Sequence, residues 1–341
     1  MRKHWIEYLR VIAIFAVITV HVTSPYFSKF EKIDRLDWWL ANILNSASMF
    51  AVPVFVMISG AVLLGRNMTI SEFYKKRSAR LLPPIIFWSL FYIGFRIYEG
   101  MSLNGLIYFL KVGLFADGYA YYHLWYLTTY ACLMLFAPFI NQFLNGNKPT
   151  LSDLRALLGV MFIFFILSGA STAAGSLLDI RMAWFKIFPL FIAYFISGYY
   201  INKYNASIPA KNGVILLFLA SLIIIGASLN YHAASSYGVF KDSLIMGTGG
   251  PITFLISALI FLLAKNNAAV LVENRIISTI SRASFGMYLI HPVFIYFMSH
   301  GLPMYYSNGL TYIPLTIFVT LLASFLSIIF LRKIPFMRKV C

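Results

Sequence analysis

The chain has 341 residues, of which 60% are hydrophobic and only 11% are charged, and its mean hydropathy is +0.80. This composition excludes a soluble globular domain and is typical of a polytopic membrane protein. The formal net charge of +16 does not indicate nucleic-acid binding, because the basic residues lie in short clusters between apolar runs. Anionic lipid and an anionic cytoplasmic substrate are the partners that this charge favours.

Apolar segments of about 20 residues, the length that crosses a bilayer, follow one another along almost the whole chain. They predict a single integral-membrane domain over residues 1–341, an all-α bundle of about ten transmembrane helices with no appended soluble domain. The predicted spans are residues 5–24, 42–64, 81–98, 124–144, 155–172, 183–201, 212–229, 250–265, 284–300 and 311–331.

The distribution of Lys and Arg predicts the orientation of these helices. Two thirds of the 27 Lys and Arg residues lie in the two tails and the even-numbered loops. Because cytoplasmic loops carry an excess of Lys and Arg, both termini are predicted to be cytoplasmic, which requires an even number of spans. The first span is expected to stay uncleaved, since Glu7 and Arg10 interrupt an apolar run that otherwise resembles a signal peptide.

The first predicted helix carries three ionisable residues, Glu7, Arg10 and His21. Arg10 and His21 are eleven residues apart, so at about 100° per residue they share one helix face, separated by roughly 16 Å along the axis. Glu7 lies one turn before Arg10, at a spacing that allows an ion pair. Ionisable residues within a membrane usually mark a functional site that faces the bundle interior. The structural alternative is an interfacial Glu7–Arg10 salt bridge with His21 at headgroup level.

A basic segment, "EFYKKRSARLLPP", precedes the third predicted span at residues 72–84. The preference for positive charge in cytoplasmic loops explains part of it. Arg77 and Arg80, however, are three residues apart and so lie on one helical face. Guanidinium groups bind phosphate in a bidentate manner, so this pair suits a phosphorylated cytosolic ligand.

Polar residues also occur in three later apolar segments. "NSASMFAVPVFVMISG" contains Asn45, "YYHLWYL" contains His123 and Trp125, and "SFGMYLIHP" contains His291. A single histidine in a membrane helix is often a packing residue. The Pro and Gly residues of the first segment are typical of kinks and close helix approach. The two cysteines fit no disulfide, zinc or prenylation pattern, and no metal is expected.

Taken together, these motifs resemble membrane-bound acyltransferase family 3. "EYLRVIAIFAVITVH" is similar to the Arg-x10-His signature of the family, "RSAR" to its Arg-x-x-Arg motif and "FVMISG" to its second-helix motif, while "HLWYL" and "SFGMYLIHP" are similar to later landmarks. The resemblance covers nearly the whole chain. It implies a bacterial inner-membrane O-acyltransferase that transfers an acyl group, usually acetyl from cytosolic acetyl-CoA, to a hydroxyl of a surface carbohydrate.

The resemblance also implies roles for individual residues. His21 is the candidate base that removes the proton of the sugar hydroxyl. Arg10 orients the thioester or stabilises its oxyanion, a role in which a fixed donor contributes about 3–4 kcal/mol, or it is a scaffold residue locked to Glu7. Arg77 and Arg80 are the expected contacts of the CoA phosphates. Asn45 is a further supporting residue. Three more supporting residues are expected along an acceptor channel: His123, Trp125 and His291.

Other functions remain compatible with the sequence. A transporter or flippase for a lipid-linked sugar fits the composition, although no paired halves with matching broken helices are evident. A non-catalytic partner in polysaccharide assembly and an O-succinyltransferase of an exopolysaccharide are further alternatives. The acceptor remains open between enterobacterial common antigen, lipopolysaccharide O-antigen, an exopolysaccharide and a small glycolipid.

Overall fold

The computed structural model describes residues 3–66, 68–110, 120–146, 190–204, 211–237, 247–302 and 308–341, with a few isolated positions between 151 and 166. All secondary structure in these ranges is helical. Short 3-10 turns cover Tyr122–Leu124 and Met337–Lys339. The α-helices are α1 His4–Phe27, α2 Arg35–Ser48, α3 Ala51–Leu63, α4 Ile70–Tyr98, α5 Leu103–Tyr108, α6 Trp125–Gly146, α7 Leu190–Tyr204, α8 Asn212–Tyr237, α9 Pro251–Asn266, α10 Arg275–Gly301 and α11 Gly309–Leu331.

The predicted helical membrane fold is confirmed for the described residues. Six segments there are long and apolar enough to cross a membrane: His4–Phe27, Arg35–Leu63, Ile70–Tyr98, Tyr122–Gly146, Asn212–Ser236 and Gly309–Leu331. The count of ten spans and the cytoplasmic position of both termini stay predictions. The span predicted over 155–172 and the first part of that predicted over 183–201 lie largely outside the described residues.

Two predicted helix starts are wrong, because capping residues lie further upstream. The helix predicted over 81–98 begins at Ile70, where Thr69 and Glu72 form a capping box. The helix predicted over 284–300 begins at Arg275, after Asn274 has accepted hydrogen bonds from the first free backbone amides. Both basic segments therefore continue as helix into the bundle, which fixes the direction of their arginine side chains.

The predicted span 42–64 consists of two helices instead of one. Asp34 caps the start of α2 by accepting a hydrogen bond from the amide of Leu36, so the helix begins before the predicted residue 42. The helical structure is interrupted by a turn at Met49 and Phe50 before α3 begins. The span predicted over 212–229 likewise continues as α8 to Tyr237.

Helix α1 lies at the centre of the bundle and packs against α10, α2, α3, α11 and α9. The tightest crossing joins α3 to α7, where an Ile-Ser-Gly sequence occurs on both helices. A Cβ atom added to Gly60 would lie 1.8 Å from the carbonyl oxygen of Phe195, and one added to Gly198 would lie 1.9 Å from that of Met57. The expectation that glycine in this segment permits close helix approach is thus confirmed.

Buried hydrogen bonds join α4 to α10 and to the C-terminal segment. The Tyr92 hydroxyl donates to the carbonyl of Leu289 at 2.7 Å, and the Trp88 indole donates to that of Val340 at 2.8 Å. These side chains are at most 2% exposed. Since a buried donor must find an acceptor, the bonds hold α4 against α10 and against the C-terminal segment.

Candidate active site

The side chains of Arg10 and His21 both face the protein interior, but they line different cavities. Arg10 lines a cavity of about 570 Å³, here named the basic cavity, and His21 lines one of about 630 Å³, here named the distal cavity. Both residues are partly exposed, which is consistent with contact to these spaces. The face of α1 that Arg10 and His21 share, here named the α1 stripe, therefore borders two cavities instead of a single one.

The basic cavity is lined by arginine and tyrosine side chains from four helices and the end of α11. The described residues that line it include no carboxylate. Its polar and charged members are Arg10, Ser59, Arg77, Arg80, Tyr126, Tyr130, Ser281, Arg282, Ser284, Tyr288 and Arg332. Five guanidinium groups around one cavity, with no carboxylate among its described lining residues, give it a positive charge that suits a polyanion.

Several of these guanidinium groups have hydrogen-bonding capacity to spare. Nε of Arg77 is buried and has no partner in the described part of the chain. Arg332 donates to a backbone oxygen of Cys341 at 3.0 Å, and Arg282 donates to the hydroxyl of Thr279 at 3.1 Å. Neither of these bonds is to a side-chain carboxylate. A bound anion would supply the missing acceptors.

The structure brings Arg77 and Arg80 together with Arg10 in this cavity, and the contact of the first two with CoA phosphates stays a prediction. Arg282 and Arg332 join them from the start of α10 and the end of α11, and sequence reasoning missed both. In the sequence, both arginines resemble ordinary basic residues of cytoplasmic loops. Nothing local to either segment indicates that the two side chains converge on one cavity.

The distal cavity has a different composition. It contains aromatic rings, small hydroxyl groups and one carboxylate, that of Glu99. The full set of lining residues is His21, Ser24, Pro25, Glu99, Tyr121, Tyr122, Pro292, Ile295, Tyr296, Ser299 and His300. Apart from His21, none of these residues was predicted as a site residue.

Three histidines and a tyrosine lie between the two cavities and are here named the histidine layer: His21, His123, Tyr288 and His291. Ring centroids are 5.1 Å apart for His21 and His291 and 5.4 Å apart for His123 and His291. Tyr288, which lines the basic cavity, donates a hydrogen bond to the carbonyl of His123. The layer therefore joins the residues of one cavity to those of the other.

Hydrogen bonds to carbonyl oxygens fix the tautomers in the histidine layer. Nδ1 of His291 lies 2.7 Å from the carbonyl of Tyr288, and Nε2 of His123 lies 3.2 Å from that of Leu289. Because a carbonyl only accepts, these nitrogens carry the protons of the neutral rings. Nε2 of His291 and Nδ1 of His123 are left as buried lone pairs without a described partner. Such nitrogens can accept a hydrogen bond from a bound group.

Two supporting residues hold α1 in position. The Asn45 side chain donates to the hydroxyls of Thr23 and Ser24 at 3.0 and 3.3 Å, which joins α2 to α1 beside His21. The Glu7 carboxylate accepts a hydrogen bond from the Ser278 hydroxyl at 2.5 Å, which joins α1 to α10. The ion pair of Glu7 with Arg10 stays a prediction.

Trp125, expected along an acceptor channel, is placed elsewhere. Its ring lies at the start of α6 and packs against Phe191 of α7, with centroids 5.8 Å apart, and it lines neither cavity. His123 and His291 lie in the histidine layer, and their place along an acceptor channel stays a prediction. Among the described residues, no group of three or more His, Cys, Asp or Glu side chains is arranged to hold a metal ion.

Fold and site together define a polytopic helical membrane protein with an arginine-lined interior cavity and a layer of buried imidazoles. The family model described as an acyltransferase domain matches residues 3–332. The chain therefore belongs to acyltransferase family 3 and is a membrane acyltransferase. Comparisons with curated proteins and with solved structures found no match.

Proposed function

We propose that this acyltransferase transfers an acetyl group from cytosolic acetyl-CoA to a hydroxyl of a cell-surface polysaccharide or glycolipid, and that it acts in the bacterial inner membrane. The observation that carries the proposal is the opposite chemistry of the two cavities that meet at the histidine layer. One suits a polyanionic donor, and the other suits a polyhydroxyl acceptor.

The basic cavity is the proposed donor site. Its arginines lie at the end of the bundle that the distribution of Lys and Arg assigns to the cytoplasm, the compartment that contains CoA. The cavity volume of about 570 Å³ is in the range of small-molecule sites. Arg77 and Arg80 bind the phosphates, and the narrow pantetheine arm passes Tyr126 and Tyr130 toward Tyr288.

Arg10 belongs with the donor site in this proposal, and not with the oxyanion. Side chains on a helix lean toward its N-terminus, and the Arg10 guanidinium lines the basic cavity. His21 lies roughly 16 Å further along the axis. A phosphate or the pantetheine amides are therefore the groups that Arg10 contacts.

His21 acts as the base that activates the acceptor. The sugar oxygen attacks the thioester carbonyl while its proton moves to the imidazole, the C–S bond breaks, and the imidazolium returns the proton to the departing CoA thiolate. His21 makes no hydrogen bond to any described residue, so both ring nitrogens are available. The same position serves direct transfer and an acetyl-imidazole intermediate on His21.

The motif pattern most resembles the O-acetyltransferase of enterobacterial common antigen, and this antigen is our first candidate acceptor. Lipopolysaccharide O-antigen, an exopolysaccharide and a small glycolipid are the alternatives, and succinyl-CoA is the alternative donor. Mass spectrometry of surface glycans from cells with and without the gene identifies both substrates, because the lost mass gives the acyl group and the fragment gives the sugar.

The direct test of the proposal is cleavage of radiolabelled acetyl-CoA by the purified protein in liposomes that contain cell-envelope glycans. We expect His21→Ala to abolish transfer. The matched control is His232→Ala, at an exposed histidine of α8 that lines neither cavity. Near-normal turnover of His21→Ala would remove the catalytic assignment. A wild-type protein that leaves the thioester intact would favour a transporter.

A further inference from the structure

The distal cavity differs from the basic cavity in the sign of its fixed charge. Among the described residues that line it there is no arginine or lysine, and Glu99 is the only carboxylate. The nearest arginine in sequence, Arg96, does not line the cavity, although its guanidinium stands 5.7 Å from the ring centre of the lining residue Tyr121. Its Nε donates to the carbonyl of Ala120 at 2.8 Å, and its guanidinium stands 4.6 Å from the ring centre of Phe109.

Glu99 is held in a defined position. It follows α4 directly, and one carboxylate oxygen accepts a hydrogen bond from the Tyr121 hydroxyl at 2.6 Å. Burial, and after it this bond to Glu99, raise the pKa of Tyr121 far above its usual range, so the phenol stays protonated and keeps donating. The carboxylate therefore offers its remaining lone pairs to the cavity.

Aromatic rings form part of the cavity wall. Tyr296 and His300 are stacked, with ring centres 4.1 Å apart, and Tyr122 lies 5.1 Å from His21 at a tilt of 59°. The electron-rich face of an aromatic ring attracts groups with partial positive charge, such as the C–H bonds on the apolar face of a pyranose ring. The hydroxyls of Ser24 and Ser299 complete the lining.

We propose that the distal cavity is a subsite for an uncharged sugar residue, in which Glu99 accepts hydrogen bonds from sugar hydroxyls and Tyr296 packs against the ring. The carboxylate repels a second negative charge, so uronic acids and phosphorylated sugars are rejected at this subsite. The inference rests on the proposed function, because it assigns the acceptor to the cavity that contains His21. It restricts the acetylated residue to a neutral sugar.

The test measures glycoside binding to the detergent-purified full chain by saturation-transfer NMR and titration. The probes are the methyl glycosides of glucose, galactose, mannose and N-acetylglucosamine, with those of glucuronic and galacturonic acid as charged counterparts. We expect at least one neutral glycoside to bind at least tenfold more tightly than either acid. If no neutral glycoside binds, or if the acids bind equally well, the inference is overturned.

Variants place the binding in this cavity. Glu99→Gln keeps the size of the side chain. We expect it to weaken the binding of the neutral glycoside several-fold and to reduce the preference for neutral over acidic glycosides. Tyr296→Leu is expected to weaken the binding of the neutral glycosides without changing that preference. Glu31→Gln is the control, because Glu31 is an exposed carboxylate just after α1 that lines neither cavity. Equal binding by Glu99→Gln and the wild type would contradict the assignment.

The outcomes separate this inference from the proposed function. Cleavage of labelled acetyl-CoA by the wild type, with glycoside binding unchanged in Glu99→Gln, would leave acetyl transfer intact and remove the subsite. Selective binding of neutral glycosides by a wild type that leaves acetyl-CoA intact would keep the sugar site and remove the acetyl donor.

Discussion

Arg77 and Arg80 lie one turn apart on α4 and line the same cavity, yet they differ in exposure. Arg77 is partly buried with its Nε lacking a described partner, whereas Arg80 is exposed. A hydrogen bond between a partly buried guanidinium and a phosphate contributes about 1.5–3 kcal/mol, while an exposed ion pair contributes at most about 1 kcal/mol. We therefore expect Arg77→Ala to raise the acetyl-CoA KM by about 10- to 100-fold and Arg80→Ala by about two- to fivefold.

The assay is initial-rate acetyl transfer by purified protein at varied acetyl-CoA, repeated at low and high salt. The contribution of Arg80 should fall as the Debye length shrinks from about 10 Å at 0.1 M salt to about 3 Å at 1 M, and that of Arg77 should persist. Lys76→Ala is the matched control, since Lys76 is an exposed cation on the same helix that does not line the cavity. Equal KM values for all three variants and the wild type would refute the donor-site assignment.

Three further predictions concern stability in detergent, measured as the midpoint of thermal unfolding. Gly60→Ala should destabilise by about 3 kcal/mol or more because its Cβ would overlap the backbone of α7, whereas Gly94→Ala, with open space around it, should not destabilise. Ser278→Ala removes one hydrogen bond of the buried Glu7 carboxylate and should lower the free energy of unfolding by about 2 kcal/mol; an unchanged midpoint would show that this bond does not stabilise the fold. Trp88→Phe loses the bond to the C-terminal segment and should cost about 1 kcal/mol, and no loss would mean that this contact is dispensable.

The helical membrane fold and the α1 stripe could be predicted because both depend on local periodicity. Arg10 and His21 share a face at any tertiary arrangement, and their cost in hydrocarbon requires that this face turn inward. Helix starts were predicted less well. Apolar runs indicate where a helix enters the bilayer, while capping residues such as Thr69 and Asn274 determine where the helix begins.

The division of the site into two cavities could not be predicted in this way. Arg282 and Arg332 reach the basic cavity from helices near the C-terminus, and Glu99 reaches the distal cavity from the end of α4. Each lies in a segment whose own composition is ordinary. Only the packing of α10 against α1, together with buried bonds such as that of Tyr92 between α4 and α10, brings them to a shared space.

The sequence by itself determined that this protein lies in a membrane, which face of its first helix points inward, and to which family it belongs. Hydropathy, helical periodicity and short motifs, from which these follow, are properties of contiguous residues. The tertiary structure alone decided which distant charges share a cavity. Arginines converge at one end of the α1 stripe and a single carboxylate with aromatic rings at the other, since side chains from separate helices meet only when the bundle packs.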